Sequence, residues 1–290
     1  MELIAFLRAN DWAFLGFTGL LGLSVGSFLN VVVYRLPKML ERQWRRECQE
    51  LQGETAETDP APFNLSQPAS HCPHCGHKIR PWENIPLLSW LLLRGRCANC
   101  GAAIGLRYPL VEALTGLLSL LVGLHFGVTW ATVAALFLTW SLIALSLIDF
   151  DTQLLPDSIT LPFLWLGLFV SLFDLFTDSH SAIIGALAGY LSLWSVYQLF
   201  KHLTGKEGMG YGDFKLLAML GAWMGWQYLP QVVMLSALVG ALVGVSLILL
   251  RGRDRNVPIP FGPYLAAAGW ISLMWGDAIN QAYLHWSGLA

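Results

Sequence analysis

Charged residues are scarce in this sequence. Asp, Glu, Lys and Arg together make up 12% of 290 residues, against about a quarter in an ordinary soluble domain. A soluble globular chain is thereby excluded. Basic charge is not in excess either, and a formal net charge of −2 speaks against nucleic acid as a partner. No strongly basic segment precedes the first apolar stretch, which is also too long for the hydrophobic region of a cleaved signal. That stretch reads as a permanent helix with its N-terminus outside. Cysteine is rare as well: there are five, and four of them fall in two tight pairs.

Hydrophobic side chains fill the space that charge leaves. They account for 55% of the residues, with 13 Trp, the balance of a polytopic membrane protein. A helix crosses the hydrocarbon layer with about 20 mostly apolar residues. Eight stretches fit: Trp12–Tyr34, Pro109–Val128, Trp130–Ile148, Ile159–Phe176, Ala182–Phe200, Phe214–Leu229, Val232–Leu250 and Phe261–Trp275. Sixteen of the 17 Lys and Arg residues lie in Arg35–Arg107, Lys201–Lys215 and Arg251–Arg255, with Arg8 the exception. If the first helix runs from outside to inside, all three clusters face the cytoplasm, as the positive-inside rule requires. The connections near Thr129, Asp178 and Pro230 carry neither Lys nor Arg. The expected fold is an all-α polytopic membrane protein of about eight transmembrane helices with a small cytoplasmic zinc-knuckle loop domain. Small residues recur four apart at Gly22/Gly26, Gly185/Gly189, Gly221/Gly225 and Gly240/Gly244, a spacing that suits close helix packing in lipid.

The one long hydrophilic segment separates the first two helices. The chain thus divides into a first helix (1–36), a cytoplasmic loop domain (37–107) and a seven-helix membrane domain (108–290). Glu41–Gln52 is expected to form an amphipathic surface helix, and Glu54–Pro68 a linker with little regular structure. Cys72 and Cys75, then Cys97 and Cys100, follow in C-P-H-C-G and C-A-N-C-G. Each pair offers two thiolates to one metal from a tight turn. Two such knuckles separated by 21 residues fit a tetrahedral four-thiolate zinc site. A reducing cytoplasm disfavours the rival reading of two disulfides. Four thiolates leave no open position for water, so the zinc, one per chain, is expected to be structural. Such sites contribute about 10–16 kcal/mol of apparent binding free energy in small peptides. His71, His74 and His77 flank the first knuckle as neighbours or as replacements for a cysteine, and Cys48 is a spare thiol.

Two aspartates stand where apolar helices should meet water. Asp149 lies near the end of the third helix in I-D-F-D-T-Q-L-L-P-D, where Pro156 disfavours helix at Leu155. Asp213 closes the run G-M-G-Y-G-D at the start of the sixth. A carboxylate at such depth is costly and usually faces a protein cavity where it carries out a task. The inferred topology puts both on the cytoplasmic side at one depth. Two close carboxylates hold one proton between them, so that one takes a proton from water while the other donates to a peptide carbonyl. Helix ends suggest Asp213 as the base and Asp149 as the acid. Gly208, Gly210 and Gly212 are expected to leave the backbone open to an extended peptide and able to take positive φ. Against this stands the plain reading of Asp151, Asp157, Asp174, Asp178 and Asp277 as interfacial helix caps.

Taken together, G-S-F-L-N-V-V-V-Y-R-L-P (Gly26–Pro37), the two knuckles, E-N-I-P-L-L-S-W (Glu83–Trp90), R-Y-P-L-V-E (Arg107–Glu112), the Asp149 segment, G-M-G-Y-G-D-F-K and F-G-P-Y (Phe261–Tyr264) resemble the bacterial type IV prepilin peptidases of the GxGD aspartyl protease group. The resemblance implies that Asp149 and Asp213 are the catalytic pair and that Gly210 and Gly212 are the signature glycines. It implies cleavage of the basic leader of prepilins and pseudopilins, after a glycine, at the cytoplasmic face of the inner membrane. N-methylation of the new terminus by S-adenosylmethionine follows, associated with the cysteine-bearing loop. Glu83, Asn84 and Glu112 are candidates for binding the methyl donor or the amine; no glycine-rich dinucleotide fingerprint locates its pocket. The alternatives from other classes are a multi-helix cation transporter with a zinc-knuckle regulatory loop and a non-enzymatic scaffold of a pilus or secretion machine.

Overall fold

A computed structural model describes residues 2–53, 62–206, 208–251 and 259–288. Among them the chain is all helix and connection, apart from two isolated β-bridges, and it divides into two compact units, Met1–Val128 and Thr129–Ala290. In the first unit a short helix α1 (Glu2–Ala9) precedes α2 (Asp11–Leu51). A 3₁₀ turn (Pro81–Asn84), a single-turn α3 (Leu88–Leu92) and α4 (Arg107–Phe126) follow. The second unit contains α5 (Trp130–Thr152), α6 (Asp157–Ser171), α7 (Ser179–Thr204), α8 (Tyr211–Met224), α9 (Leu229–Arg251) and α10 (Gly262–Ser287).

Each of the eight expected spans falls on a helix. Among the described residues five helical stretches are long and apolar enough to cross a membrane: α2, α4, α5, α7, and α9 with the turn before it. Helix α6 is apolar but shorter, α8 has 14 residues, and α10 is longer than expected at 26. The expected end of the last span, Trp275, is a kink inside α10 (φ −136°, ψ 18°). The chain is a multi-pass membrane protein.

One expectation changes. The first span and the surface helix expected at Glu41–Gln52 are one continuous helix of 41 residues, α2, which passes through Pro37. Proline disturbs a helix by removing one amide and crowding the previous turn. Here the extension past it is tied to the following loop. Arg35, buried on α2, donates to the carbonyls of Asn64 (3.0 Å) and Pro68 (2.7 Å), and the Arg42 guanidinium lies 4.3 Å from the centre of the Phe63 ring. The linker expected over Glu54–Pro68 lies outside the described residues as far as 61, as do Arg253 and Arg255.

Lipid tails are as apolar as leucine, so helices in a bilayer associate through close packing rather than hydrophobic exclusion. Three of the four glycine pairs supply that packing. In the first unit a Cβ on Gly22 would meet Ser119 Cβ at 2.5 Å, and one on Gly26 would meet the Glu112 backbone at 2.8 Å, so α2 and α4 touch along these residues. In the second, Gly185 and Gly221 bring the backbones of α7 and α8 into contact, and a Cβ on Gly189 would meet the Leu217 carbonyl at 2.6 Å. Gly240 and Gly244 sit more loosely, with Tyr264 and Ile259 at 3.4 and 3.3 Å. Buried hydroxyls are satisfied within their own helices: Thr115, Ser119 and Thr139 donate to carbonyls four residues back at 2.7 Å. Gly221→Ala is expected to force α7 from α8 and cost about 1–3 kcal/mol, the usual range for overpacking. Gly240→Ala should cost less, and thermal unfolding of the two variants in detergent would show whether the order holds.

Candidate functional site

Helix α5 ends at the first acid. Gln153 caps it in the left-handed conformation (φ 55°), its N–H donating to the Asp149 carbonyl at 2.9 Å, and Pro156 stands as the N-cap of α6. The break expected from Pro156 is therefore present, and it leaves Asp149 on the last turn of α5 with its side chain 5% exposed. Asp213 lies in the first turn of α8, 8% exposed and within Coulombic reach of Asp149. Two carboxylates 64 positions apart in the chain thus converge in one buried place.

Three glycines shape this place, and none of the reasons is the expected positive φ. Gly210, the N-cap of α8, has φ −81° and an open face, its missing Cβ lying 3.9 Å from Asp213 Oδ2. A Cβ on Gly212 would meet Leu155 Cβ at 2.7 Å, and one on Gly208 would meet the Phe200 ring at 2.8 Å. Gly208 and Gly212 serve close packing, and Gly210 alone leaves open space beside an acid. Tyr197, Tyr211 and Phe214 stack at 5.4–5.6 Å and fix the start of α8 against α7. Two residues given no role from the sequence belong to the site. The Gly262 N–H, first in α10, donates to Asp149 Oδ2 at 2.9 Å, and buried Leu155 packs against the positions of both Gly212 and Gly262. The F-G-P-Y motif was the available signal for Gly262. Asp149 thus meets the negative pole of α5, expected from the sequence, and also the positive pole of α10. Of the other acids, Asp157 is exposed and paired with Lys215 Nζ at 2.7 Å, Asp178 caps α7 through the Ser181 N–H at 3.0 Å, and Asp151 is exposed.

In the first unit the four knuckle sulfurs lie within 4.8 Å of one another, with Cys72–Cys100 at 3.8 Å and Cys75–Cys97 at 4.0 Å. A tetrahedral ion with sulfurs at about 2.3 Å requires them about 3.8 Å apart, so the four thiols fit a metal. The knuckles repeat one geometry. Gly76 N–H donates to the Cys72 carbonyl at 2.9 Å with φ +70°, and Gly101 N–H to the Cys97 carbonyl at 3.0 Å with φ +72°. The His77 amide and the Asn99 side chain draw the Cys75 thiol down to about 6, and the amides of Cys100 and Asn99 lower Cys97. The Ala102 amide acts the same way on Cys100, but the surrounding thiols and burial outweigh it and push that group up to about 11. The flanking histidines are outside the sulfur cluster: His77 Nε2 pairs with Glu83 Oε2 at 3.1 Å, and His71 and His74 are exposed.

Of the suggested donor-binding residues, Glu83 and Glu112 have structural partners. Glu83 accepts the Arg80 N–H at 2.9 Å, which holds its carboxyl below the usual range, and Asn84 is exposed in the same turn. Buried Glu112 accepts the Leu87 N–H at 2.8 Å, where Leu87 takes φ 60°.

The fold and this geometry define a multi-pass membrane protein with a paired-carboxylate centre and a four-thiol cluster. A family model described as the bacterial peptidase A24 N-terminal domain matches residues 20–126, and one described as the type IV leader peptidase family matches residues 136–245. A protein of Pseudomonas aeruginosa named prepilin leader peptidase/N-methyltransferase is 60% identical over 288 residues, 99% of each chain. Proteins of the same name from Stutzerimonas stutzeri and Aeromonas hydrophila are 56% and 58% identical over 100% and 97% of this chain, and 100% and 98% of their own. No solved structure matches. The chain belongs to the type IV leader peptidase family. The cation-transporter reading finds no support among these relatives.

The cluster generates a prediction. The purified protein is expected to hold one equivalent of divalent metal per chain, and Cys75→Ser should reduce it to background and loosen the loop. Elemental analysis after gel filtration gives the count, and full retention by Cys75→Ser would remove the four-thiol assignment.

Proposed function

We propose that this chain is a bifunctional prepilin-processing enzyme. It removes the leader of prepilins and pseudopilins and then N-methylates the new N-terminus with S-adenosylmethionine as donor. The observation that carries the reading is the convergence of Asp149 and Asp213, buried and within Coulombic reach, in a chain up to 60% identical to proteins named for both activities.

Two carboxylates brought together over a substrate do not both ionise readily, so the working pair would hold one proton. One carboxylate accepts a proton from water as the oxygen attacks the scissile carbonyl, while its neighbour donates to the carbonyl oxygen. Collapse of the tetrahedral diol breaks the C–N bond: the departing amine takes up the proton held by the first acid, and one hydroxyl of the diol returns its proton to the second carboxylate. No covalent enzyme intermediate forms. Gly210 and Gly212 support the loop that presents Asp213, and the open face at Gly210 suits an extended peptide backbone. Methyl transfer requires the new amine to be neutral, so the chain's part is to hold it away from water. We assign that activity to the loop domain over residues 37–107, and cleavage to the membrane helices over 108–290. Cys72, Cys75, Cys97 and Cys100 hold a structural Zn²⁺ that organises the loop. The distribution of Lys and Arg supports a multi-pass enzyme of the bacterial inner membrane with its acids at the cytoplasmic face, where a basic leader emerges from the bilayer.

Incubation of the detergent-solubilised protein with a prepilin peptide, followed by mass spectrometry, tests the assignment. Asp149→Ala and Asp213→Ala should each lower cleavage by at least about 100-fold, in line with loss of acid–base catalysis. Processing at the wild-type rate by either variant would discard the pair. Cys97→Ser should impair methylation more than cleavage; equal loss of both, in normally inserted protein, counts against separate sites.

A further inference from the structure

We infer that Gly262 is a positioning residue of the peptidase, its backbone N–H and its missing side chain together setting the Asp149 carboxylate for reaction. The inference rests on the reading of Asp149 as one of the reacting acids and extends the site to α10, a helix beyond the stretch matched by the leader peptidase model, which ends at residue 245.

The first amides of a helix have no acceptor within it. In α10, Phe261 is the N-cap and Gly262 the first helical residue. Pro263 has no N–H to offer. Tyr264 N–H already donates to the Phe261 carbonyl at 3.1 Å. The Gly262 amide is therefore the donor of this turn that points outward, and Asp149 Oδ2 receives it at 2.9 Å in a fully buried contact across 113 residues of sequence. The positive pole of α10, the part before its kink at Trp275, stands behind that single bond.

Steric complementarity adds an independent constraint. A Cβ on Gly262 would lie 2.7 Å from Asp149 Oδ2, 3.2 Å from its Cγ and 3.2 Å from Leu155 Cδ2. Contacts below 3 Å force something to move, and the only atom that close is the Asp149 carboxylate oxygen, Leu155 standing further off. Any side chain at 262 displaces the acid itself. Gly-Pro is thus a matched pair: the glycine supplies an amide without bulk, and the proline starts the helix without a competing donor.

Gly262→Ala keeps the amide and adds only the methyl. Its kcat for cleavage of a prepilin peptide is expected to fall about 100-fold, the loss that a misplacement of about 1 Å brings, with KM changed less than about twofold. Gly269→Ala, also on α10, crowds Leu220 of α8 without reaching Asp149 and should keep most of the wild-type kcat. An unchanged kcat in Gly262→Ala, or equal losses in the two variants, would overturn the inference. If Gly262→Ala does not insert, the wild-type amide decides. In glycine-labelled protein the Gly262 N–H should exchange slowly with deuterium, and Asp149→Ala should accelerate it at least about tenfold while leaving Gly269 unaffected. The same Gly262 exchange rate in wild type and Asp149→Ala also overturns it. Retained cleavage in Asp149→Ala would instead sink the catalytic reading of the acid pair, so the two failures are distinguishable.

Discussion

A charge removed from water must be met by something, and in this chain the main chain meets it. Asp149 is bonded to the Gly262 amide and Glu112 to the Leu87 amide, while Arg35 donates to the carbonyls of Asn64 and Pro68. Pairing buried acids with buried bases would bring two desolvation penalties in place of one. It would also neutralise a carboxylate that has a reaction to perform. A backbone dipole at a helix start or a turn solvates the carboxylate without supplying a cation that competes for its proton. The opposite-charge pair Lys215–Asp157 is, by contrast, out in the open.

That constraint explains the placement of glycine and proline better than loop flexibility does. An amide can reach a side chain from another helix only where the backbone is bare and the helix has an end. Gly262 satisfies both conditions for Asp149. Gly212 lets Leu155 settle between the two acid-bearing segments, and Gly185 with Gly221 draws α7 onto α8 so that Asp213 starts from a fixed helix. The aromatic stack of Tyr197, Tyr211 and Phe214 secures the same helix at its first turn. The cleavage chemistry proposed for the acids thus depends on close backbone packing as much as on the acids themselves.

Periodic and local features were legible in the sequence. Each long apolar run marked a helix, the C-x-x-C-G spacing announced the sulfur cluster, and Pro156 announced the end of α5. Features that depend on register across the bundle were not. Nothing near Asp149 indicates that its partner amide lies 113 residues later, because a backbone N–H carries no residue signature. The glycines of the G-M-G-Y-G-D run were visible, but positive φ was the wrong reason for them; their neighbours Phe200 and Leu155 come from other segments. The continuity of α2 through Pro37 is not legible from the sequence, and the contacts of Arg35 and Arg42 with the following loop show what holds the helix there.

The unbroken α2 has a mechanical consequence. At 1.5 Å per residue its 41 residues measure about 60 Å, twice the hydrocarbon thickness of about 30 Å, and the stretch after Pro37 projects about 20 Å. A stiff rod anchored in a bilayer behaves as a lever. A change of about 10° in its tilt, the kind a thicker or thinner membrane imposes, swings the far end by about 3.5 Å. Phe63, stacked beside Arg42, rides on that arm. Rigid geometry thereby links the tilt of α2 to Phe63, Asn64 and Pro68, the loop residues that Arg35 and Arg42 hold.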